Sequence, residues 1–188
     1  SNLDLGILSL PAVSKLALPQ GHPMRLVFVG QNGTDNPDFD DRLTDFSVSD
    51  DDGKHYRQKV SQVFLACVEG DKRFVNLEPG DYRVYATKGP EYSVSVRDIT
   101  IAENETSELQ IEIPHQVVKT PGYIAADLHV HSGTSFDNTF STSERVRTFV
   151  AEHGEVMVSS GHDIPVDFSP HIEQLGVQDK ITSINGVE

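Results

Sequence analysis

The segment from Asp127 to His131 reads Asp-Leu-His-Val-His, and its residue types and spacing suit a metal site. Side chains alternate between the two faces of a β-strand, so Asp127, His129 and His131 are expected to point to one side. The apolar residues between them would point to the other side. Two imidazoles on one face can bind one divalent ion or two adjacent ions. Asp127 is expected to hold one imidazole in the correct tautomer from behind.

Three further candidate ligands follow along the chain. Asp137 lies in the segment just after the two histidines, and His162 and Glu188 each follow a later apolar segment. The carboxyl ends of parallel strands form the active sites of open α/β sheets and of β/α barrels. We therefore predict that these three side chains converge with His129 and His131. Nitrogen and oxygen ligands without a thiolate favour zinc, manganese or iron.

The pattern after Gly122 predicts alternating strands and helices that position these residues. Residues 123–130 and 155–160 read as strands, and a third strand begins at 181. A capping box at 141–144 opens a predicted helix that ends near Gly154, and 170–175 predicts a second, short helix. Strands that alternate with helices are typical of parallel βαβ units.

The first part of the chain, 1–119, predicts an antiparallel β-sandwich. Short apolar or alternating runs are separated by turn residues, as at 79–81 and 103–105, and no helix is expected before residue 120. The expected strands include 24–29, 63–68, 81–86, 92–96 and 109–113. The expected core side chains are Tyr82, Val84, Val94, Val96, Ile111 and Ile113.

Composition narrows the function classes. The 188 residues carry a net charge of −14, which argues against a nucleic-acid binder or a protein of anionic membrane surfaces. A phosphate substrate remains compatible, because bound metal ions supply positive charge locally. The single cysteine, Cys67, excludes an intrachain disulfide and is expected in the core. The opening Ser1-Asn2 is typical of a tag remnant, so a periplasmic or secreted location with the leader removed stays open.

Four motifs together resemble the opening of the polymerase and histidinol phosphatase (PHP) family of metallohydrolases. They are His129-x-His131, Ser135-Phe136-Asp137, Gly161-His162-Asp163 and Gly186-Val187-Glu188. The resemblance covers 122–188. It implies a distorted seven-stranded, TIM-like β/α barrel with two or three divalent ions, and most members hydrolyse phosphoesters with a metal-activated water. It also implies that the metal ligands are His129, His131, Asp137, His162 and Glu188, with Glu188 bridging two ions and Asp127 behind them.

Two departures from the family pattern affect what to expect. Ser160-Gly161 stands where the family usually has Thr-Asp, and Asp163 could partly replace the missing carboxylate. The chain ends at Glu188, after about the first third of a barrel that typically needs about 200 to 250 residues. The later His, Asp and His ligands would lie beyond it, so the chain alone is expected to be inactive. Residues 122–188 are expected to pack on the sandwich or to pair with a second copy.

The first domain has a resemblance of its own, to carboxypeptidase-regulatory-like, transthyretin-like sandwiches. It rests on the turn from Leu77 to Tyr82, which reads Leu-Glu-Pro-Gly-Asp-Tyr and predicts a tight corner with the tyrosine ring in the core. A sandwich before a PHP domain, with 88–92 between strands, resembles the branch that includes carbamate and ester hydrolases. Two alternatives to a phosphoesterase therefore stay open: a metal-dependent carboxylester or carbamate hydrolase, and a non-catalytic module whose sandwich binds a glycan or protein.

Overall fold

The computed structural model describes residues 13–39, 47–49, 55–57 and 59–188, so Ser1-Asn2 lies outside the described residues. Within them the chain is mostly β, with several sheets and few helices. In chain order the elements are β1 Ser14–Ala17, β2 Met24–Gln31, β3 Ser47–Ser49, β4 His55–Arg57, β5 Gln62–Leu65, β6 Phe74–Leu77, β7 Gly80–Thr87, β8 Ser95–Ile101, β9 Thr106–Glu108, β10 Ala126–Val130, α1 Thr142–Ala151, β11 Val156–Ser159, α2 Ser169–Leu175 and β12 Thr182–Ile184.

Two sheets before residue 120 enclose one hydrophobic core. The first has the order β5-β2-β7-β8 and the second β6-β1-β9, while β3 and β4 pair as a separate hairpin. Side chains of both sheets form a single buried cluster that includes Leu16, Phe28, Val75 and Val84. Alternation along β2 and β7 directs every second side chain into this core, as a half-buried strand requires. No helix occurs among the described residues before 120, in agreement with the sequence.

The predicted corner at Tyr82 is present. The ring is buried, with 2% of its surface exposed, and its hydroxyl donates a hydrogen bond of 2.9 Å to the Glu78 carbonyl. Gly80 has a φ of 152°, and a Cβ there would collide with the Thr34 side chain. A residue with a side chain would therefore be strained at this turn.

The sandwich is not wholly antiparallel, contrary to the sequence prediction, because β9 runs parallel to β1. The buried Ser14 hydroxyl explains the direction. It donates to the Ala102 carbonyl at 2.6 Å and accepts the Glu105 N–H at 2.9 Å. These bonds hold the turn after β8 beside the start of β1, so the chain leaves that turn alongside β1 in the same direction.

Two predicted core residues, Val94 and Val96, are exposed by 59% and 53%. The pairing of β8 with β7 explains this, because Ser95 lies opposite the inward Ala86 and Val96 opposite the outward Tyr85. The other predicted core residues do contact the core: Tyr82 and Val84 are buried, and Ile111 and Ile113 are half-buried against it. The predicted strand at 109–113 is not formed: β9 ends at Glu108, and these residues have no regular secondary structure.

Cys67 is exposed, contrary to the prediction of a core residue. Strand β5 ends at Leu65, and the chain turns sharply, with Cys67 at a φ of 62°. The Asp71 carboxylate holds this turn by accepting the backbone N–H groups of Ala66 and Cys67 at 2.9 and 2.7 Å. Cys67, which follows the buried Ala66, is thereby turned towards solvent.

After residue 120 the chain forms the predicted parallel unit, with strand order β10-β11-β12. Helix α1 begins with Ser141 as its N-cap, whose side chain accepts the Glu144 N–H at 3.3 Å. Helix α2 ends at Gly176, which has the left-handed φ of 66°. Both helices bury apolar side chains in a second core with Val130 and Met157. Neither helix within the described residues is long and apolar enough to span a membrane.

One face of this parallel sheet is less covered than the sequence predicts. Ile124, Leu128 and Ile184 are exposed by 65, 72 and 55%, whereas Val156 and Ile181 are buried. The two helices share one core, which lies against the face that carries Met157. Side chains on the opposite face, such as Ile184, therefore have no helix over them in the described part of the chain.

Helix α1 joins the parallel unit to the sandwich. It packs against β2 and β5, and Ala66 from the sandwich belongs to the second core. The Arg147 guanidinium forms an ion pair with Asp71, and the two side chains are exposed by only 10% and 7%. Arg25 Nε also lies 2.7 Å from the Glu152 carboxylate.

Candidate metal centre

The five predicted ligands lie together at one edge of the parallel sheet. His129 is in β10, His131 follows it, and His162 and Glu188 follow β11 and β12. Asp137 lies in the loop between β10 and α1. The carboxyl ends of adjacent parallel strands meet at the same sheet edge, which explains why residues so distant in sequence converge.

Three ligand atoms form a tight triangle. His129 Nε2 lies 3.0 Å from His131 Nε2, and both lie close to Glu188 Oε2, at 3.1 and 3.0 Å. Adjacent ligand atoms around an ion at about 2.1 Å lie roughly 3.0 to 3.4 Å apart in tetrahedral or octahedral geometry. The spacing of the triangle therefore fits the ligand shell of one divalent ion.

Hydrogen bonding alone does not satisfy this triangle. A proton on either imidazole Nε2 satisfies at most one or two of the three contacts, and the remaining pair of lone-pair atoms repel each other. A cation that faces all three atoms removes the conflict, because each lone pair then has the same partner. Imidazole nitrogen and carboxylate oxygen are suitable ligands for zinc, manganese and iron.

A second group shares His131. Its Nδ1 lies 2.9 Å from Asp137 Oδ2, and His162 Nε2 lies 3.5 Å from the same oxygen. His131, Asp137 and His162 thus form a second set of atoms close enough to hold an ion. His131 is the least exposed of the five side chains, at 13%, and both groups meet on its ring. A carboxylate on the far nitrogen of a metal-binding histidine fixes its orientation and raises its basicity.

The charges of this second group support one another. A hydrogen bond from the Ser135 hydroxyl, with a further contribution from His131, lowers the pKa of Asp137 to about 2. The carboxylate is therefore ionised at neutral pH. Hydrogen bonding to Asp137 is in turn the main reason that the pKa of His131 is raised. The carboxylates attract positive charge to the imidazole, and this is the environment that a divalent cation also favours.

Ser135 is a site residue that the sequence analysis names only as part of a motif. Its buried hydroxyl donates to Asp137 Oδ1 at 2.6 Å and accepts the His162 backbone N–H at 3.2 Å. The Ser135 side chain thus connects the loop after β10 with the loop after β11. Ser135 stands two residues before Asp137, and that spacing, which permits a local side-chain hydrogen bond, is the signal in the sequence.

Backbone bonds hold Glu188 in place. The Asp163 N–H donates to the Glu188 carbonyl at 3.1 Å, and the Glu188 N–H donates to the Gly161 carbonyl at 3.3 Å. The side chain of Asp163 is exposed, so the contribution visible from this residue comes from its backbone. The ring of Phe136, itself 83% exposed, stacks on His162 with centroids 4.8 Å apart.

Asp127 does not occupy the position that strict alternation predicts. Asp127 pairs with Met157 and Val130 pairs with Ser159, so β10 carries one extra residue between these pairs. This bulge places Asp127 on the same side of the sheet as Val130, out of the alternation with His131 that the sequence predicts. The Asp127 carboxylate accepts the His129 backbone N–H at 3.0 Å, so it supports the histidine through the main chain instead of holding a ring.

An open cavity of about 350 Å³ lies beside these residues. Its lining includes His129, His131 and Asp137, together with Arg145 and Phe149 from α1. The space is large enough for a small ester or phosphoester next to the ligand atoms. Comparisons of the chain with family models, curated proteins and solved structures give no match in any of the three.

Proposed function

We propose that the site is the metal centre of a hydrolase of the PHP type and that it acts on phosphoesters. The observation that carries the proposal is the triangle of His129 Nε2, His131 Nε2 and Glu188 Oε2, with all three atoms within 3.1 Å of one another. Its spacing and its unsatisfied lone pairs both favour a shared cation. The further proposal that β10, β11 and β12 belong to a seven-stranded β/α barrel rests on the sequence motifs and on the parallel strand order.

The five residues would divide the work of holding the ions. His129, His131 and Glu188 would hold one ion, and Asp137 and His162 would contribute to a second. Divalent ions in such a site activate water for hydrolysis and stabilise negative charge on the substrate. Ser135 holds Asp137 and the His162 backbone at fixed positions, and the Asp163 and Gly161 backbone groups hold Glu188.

Metal titration of the chain tests the metal site directly. Calorimetry with Zn²⁺ and Mn²⁺, combined with elemental analysis, should show stoichiometric binding, and His131→Ala should abolish it. His131 is the informative position because both ligand groups share its ring. His22→Ala is the matched control, since His22 is exposed in the sandwich. Equal metal binding by H131A and the parent would refute the site.

Activity distinguishes the substrate classes. The metal-loaded chain, and any longer form of the protein that contains it, would be assayed with p-nitrophenyl phosphate, bis-p-nitrophenyl phosphate and p-nitrophenyl acetate. We expect the longer form to turn over a phosphoester in a reaction that EDTA abolishes and added metal restores, and we expect the chain alone to be inactive. Turnover of the acetate ester alone would favour the carboxylester or carbamate alternative. Metal-independent binding of a glycan or protein, without turnover, would favour the non-catalytic module.

A further inference from the structure

A basic residue that the sequence analysis did not single out shares the cavity with the candidate ligands. Arg145 lies in the first half of α1, four residues after its N-cap, and lines the cavity together with His129, His131 and Asp137. Among the described residues it is the only Lys or Arg side chain that lines this cavity. The other charged side chains there are carboxylates.

The guanidinium of Arg145 is held in a fixed position but is only partly satisfied. It stacks over the Phe140 ring, 4.8 Å from the ring centroid. The Asn138 side chain fixes the backbone of Phe140 by accepting its N–H at 2.8 Å. Asp127 attracts the charge from a distance. The buried Nε of Arg145, however, has no hydrogen-bond partner in the described part of the chain.

This Nε has almost no accessible surface, so a ligand in the cavity would meet the other guanidinium donors of Arg145, which lines that cavity. Burial also lowers the pKa of the Arg145 guanidinium, as expected for a cation that has lost part of its hydration. The planar fork of guanidinium donors matches the geometry of phosphate and carboxylate oxygens. Stacking on an aromatic ring leaves the edge of the fork open to such a ligand.

We propose that Arg145 is a substrate-binding residue that selects anionic phosphoryl groups at the metal centre. This inference rests on the function proposed above and specifies its substrate class. A chain with a net charge of −14 repels anions at long range, so local positive charge favours an anionic substrate, and Arg145 would add to the charge of the proposed ions. A neutral ester gains much less from a guanidinium in this position. Arg145 thus favours phosphoesters over neutral carboxylesters.

The test is a titration of inorganic phosphate into the Mn²⁺-loaded chain, followed by calorimetry. The variants are Arg145→Gln, which removes the charge, and Arg145→Lys, which keeps the charge and the aliphatic stem but loses the fork. Arg97→Gln, at an exposed position in β8, is the matched control. Mn²⁺ affinity and the urea unfolding curve are measured for every variant.

We expect R145Q to raise the phosphate Kd by about 10- to 100-fold, because a charge-assisted hydrogen bond contributes about 1.5 to 3 kcal/mol. R145K should lie between R145Q and the parent, and R97Q should match the parent. Mn²⁺ affinity should be unchanged in all three. If R145Q does not fold, R145K tests the proposal instead. A phosphate Kd of R145K equal to that of the parent would overturn the proposal.

The other outcomes separate this inference from the proposed function. A chain that binds no metal refutes both. A chain that binds Mn²⁺ and phosphate, with the same Kd in R145Q and in the parent, refutes the role of Arg145 and leaves the metal centre intact. A parallel titration with acetate checks the anion class. Acetate binding as tight and as dependent on Arg145 as phosphate binding would overturn the phosphoryl preference.

Discussion

At the scale of single residues, His131 organises the site. Its two ring nitrogens face different partners, with Glu188 and His129 near Nε2 and Asp137 near Nδ1. No other described residue belongs to both candidate ligand groups. The geometry of both candidate ligand groups therefore depends on how firmly the His131 ring is held.

Ser135 gives a prediction at this scale. Replacing it with alanine removes the hydroxyl that bonds both Asp137 and the His162 backbone, so the second ligand group should lose its fixed geometry. We expect Ser135→Ala to weaken metal binding by about 10-fold or more, because outer-shell partners of metal ligands have effects of this size. Calorimetric metal titration measures the change.

Ser183→Ala is a suitable control, since the Ser183 hydroxyl in β12 shares a hydrogen bond with the Ser169 hydroxyl of α2 and not with a candidate ligand. The control should bind metal like the parent. A metal affinity for S135A equal to that of the control would show that Asp137 and His162 need no support from Ser135.

Sequence reasoning identified the five residues that converge but not all of their contacts. Residue type, together with placement at strand ends, was sufficient to bring His129, His162 and Glu188 to one edge. It was not sufficient for Asp127, because one extra residue in a strand reverses the side on which its neighbours lie. It also did not reveal Arg145, because an arginine in a helix is ordinary until the neighbouring cavity is known.

At the scale of elements, α1 is the part that joins the two halves of the molecule. Its apolar face was predictable, since Val146 and Val150 recur at helical spacing and are buried. Its polar contact was not predictable, because Arg147 pairs with Asp71 across 76 residues of sequence. Long-range ion pairs leave no periodic pattern in a sequence.

Arg147→Ala should be strongly destabilising. It removes the partner of a carboxylate that is 7% exposed, and breaking a buried ion pair typically costs about 3 to 5 kcal/mol. Urea unfolding followed by circular dichroism would measure the change in the free energy of unfolding. Asp71 also holds the backbone of Ala66 and Cys67, so its turn should loosen as well.

The exposed pair of Arg83 with Asp98 offers a matched comparison. Its side chains are 41% and 64% exposed, and exposed ion pairs contribute little to stability. Arg83→Ala should therefore lower the free energy of unfolding far less than Arg147→Ala does. Similar losses in R147A and R83A would mean that the pair at Arg147 does not stabilise the contact between α1 and the sandwich.

At the scale of the whole molecule, two hydrophobic cores share one chain. The first core is formed entirely by residues between Leu16 and Leu109, with half-buried neighbours as far as Ile113. The second draws on α1, α2 and the parallel sheet but also takes Ala66 from the sandwich. The change of hydrophobic period near residue 120 predicts two parts, and the two cores lie on either side of that point apart from residues such as Ala66. The contribution of Ala66 was not predictable, because Ala66 looks like the end of an ordinary strand.

A chain that ends at Lys119 should fold on its own. It retains the whole first core and is of ordinary domain size. We expect a β-type circular dichroism spectrum and a single cooperative urea transition, at lower stability than that of the whole chain because the partners of Asp71 and Ala66 are gone. A helical spectrum, or a gradual loss of signal without a transition, would contradict an independent sandwich.

Association through the parallel sheet stays a prediction. The exposed Leu128 lies in β10 and the exposed Ile124 just before it, and β10 pairs with β11 on one side only within the described residues. Unpaired strand edges with apolar side chains favour pairing with another chain, and a lysine placed there opposes it. We expect light scattering to show a dimer that Leu128→Lys weakens. A parent chain that remains monomeric at high concentration would contradict the prediction.

The turn held by Asp71 has a consequence for how such a protein could be recombined. The natural point at which to cut the sequence is near residue 120, yet the surface that receives α1 comes from β2, β5 and residues 66–71, much earlier in the chain. Transplanting 120–188 onto an unrelated sandwich would leave Arg147 facing a surface without its carboxylate. A functional chimera therefore needs residues 120–188 together with the sandwich residues that contact α1. These two segments are far apart in the sequence but adjacent in the structure.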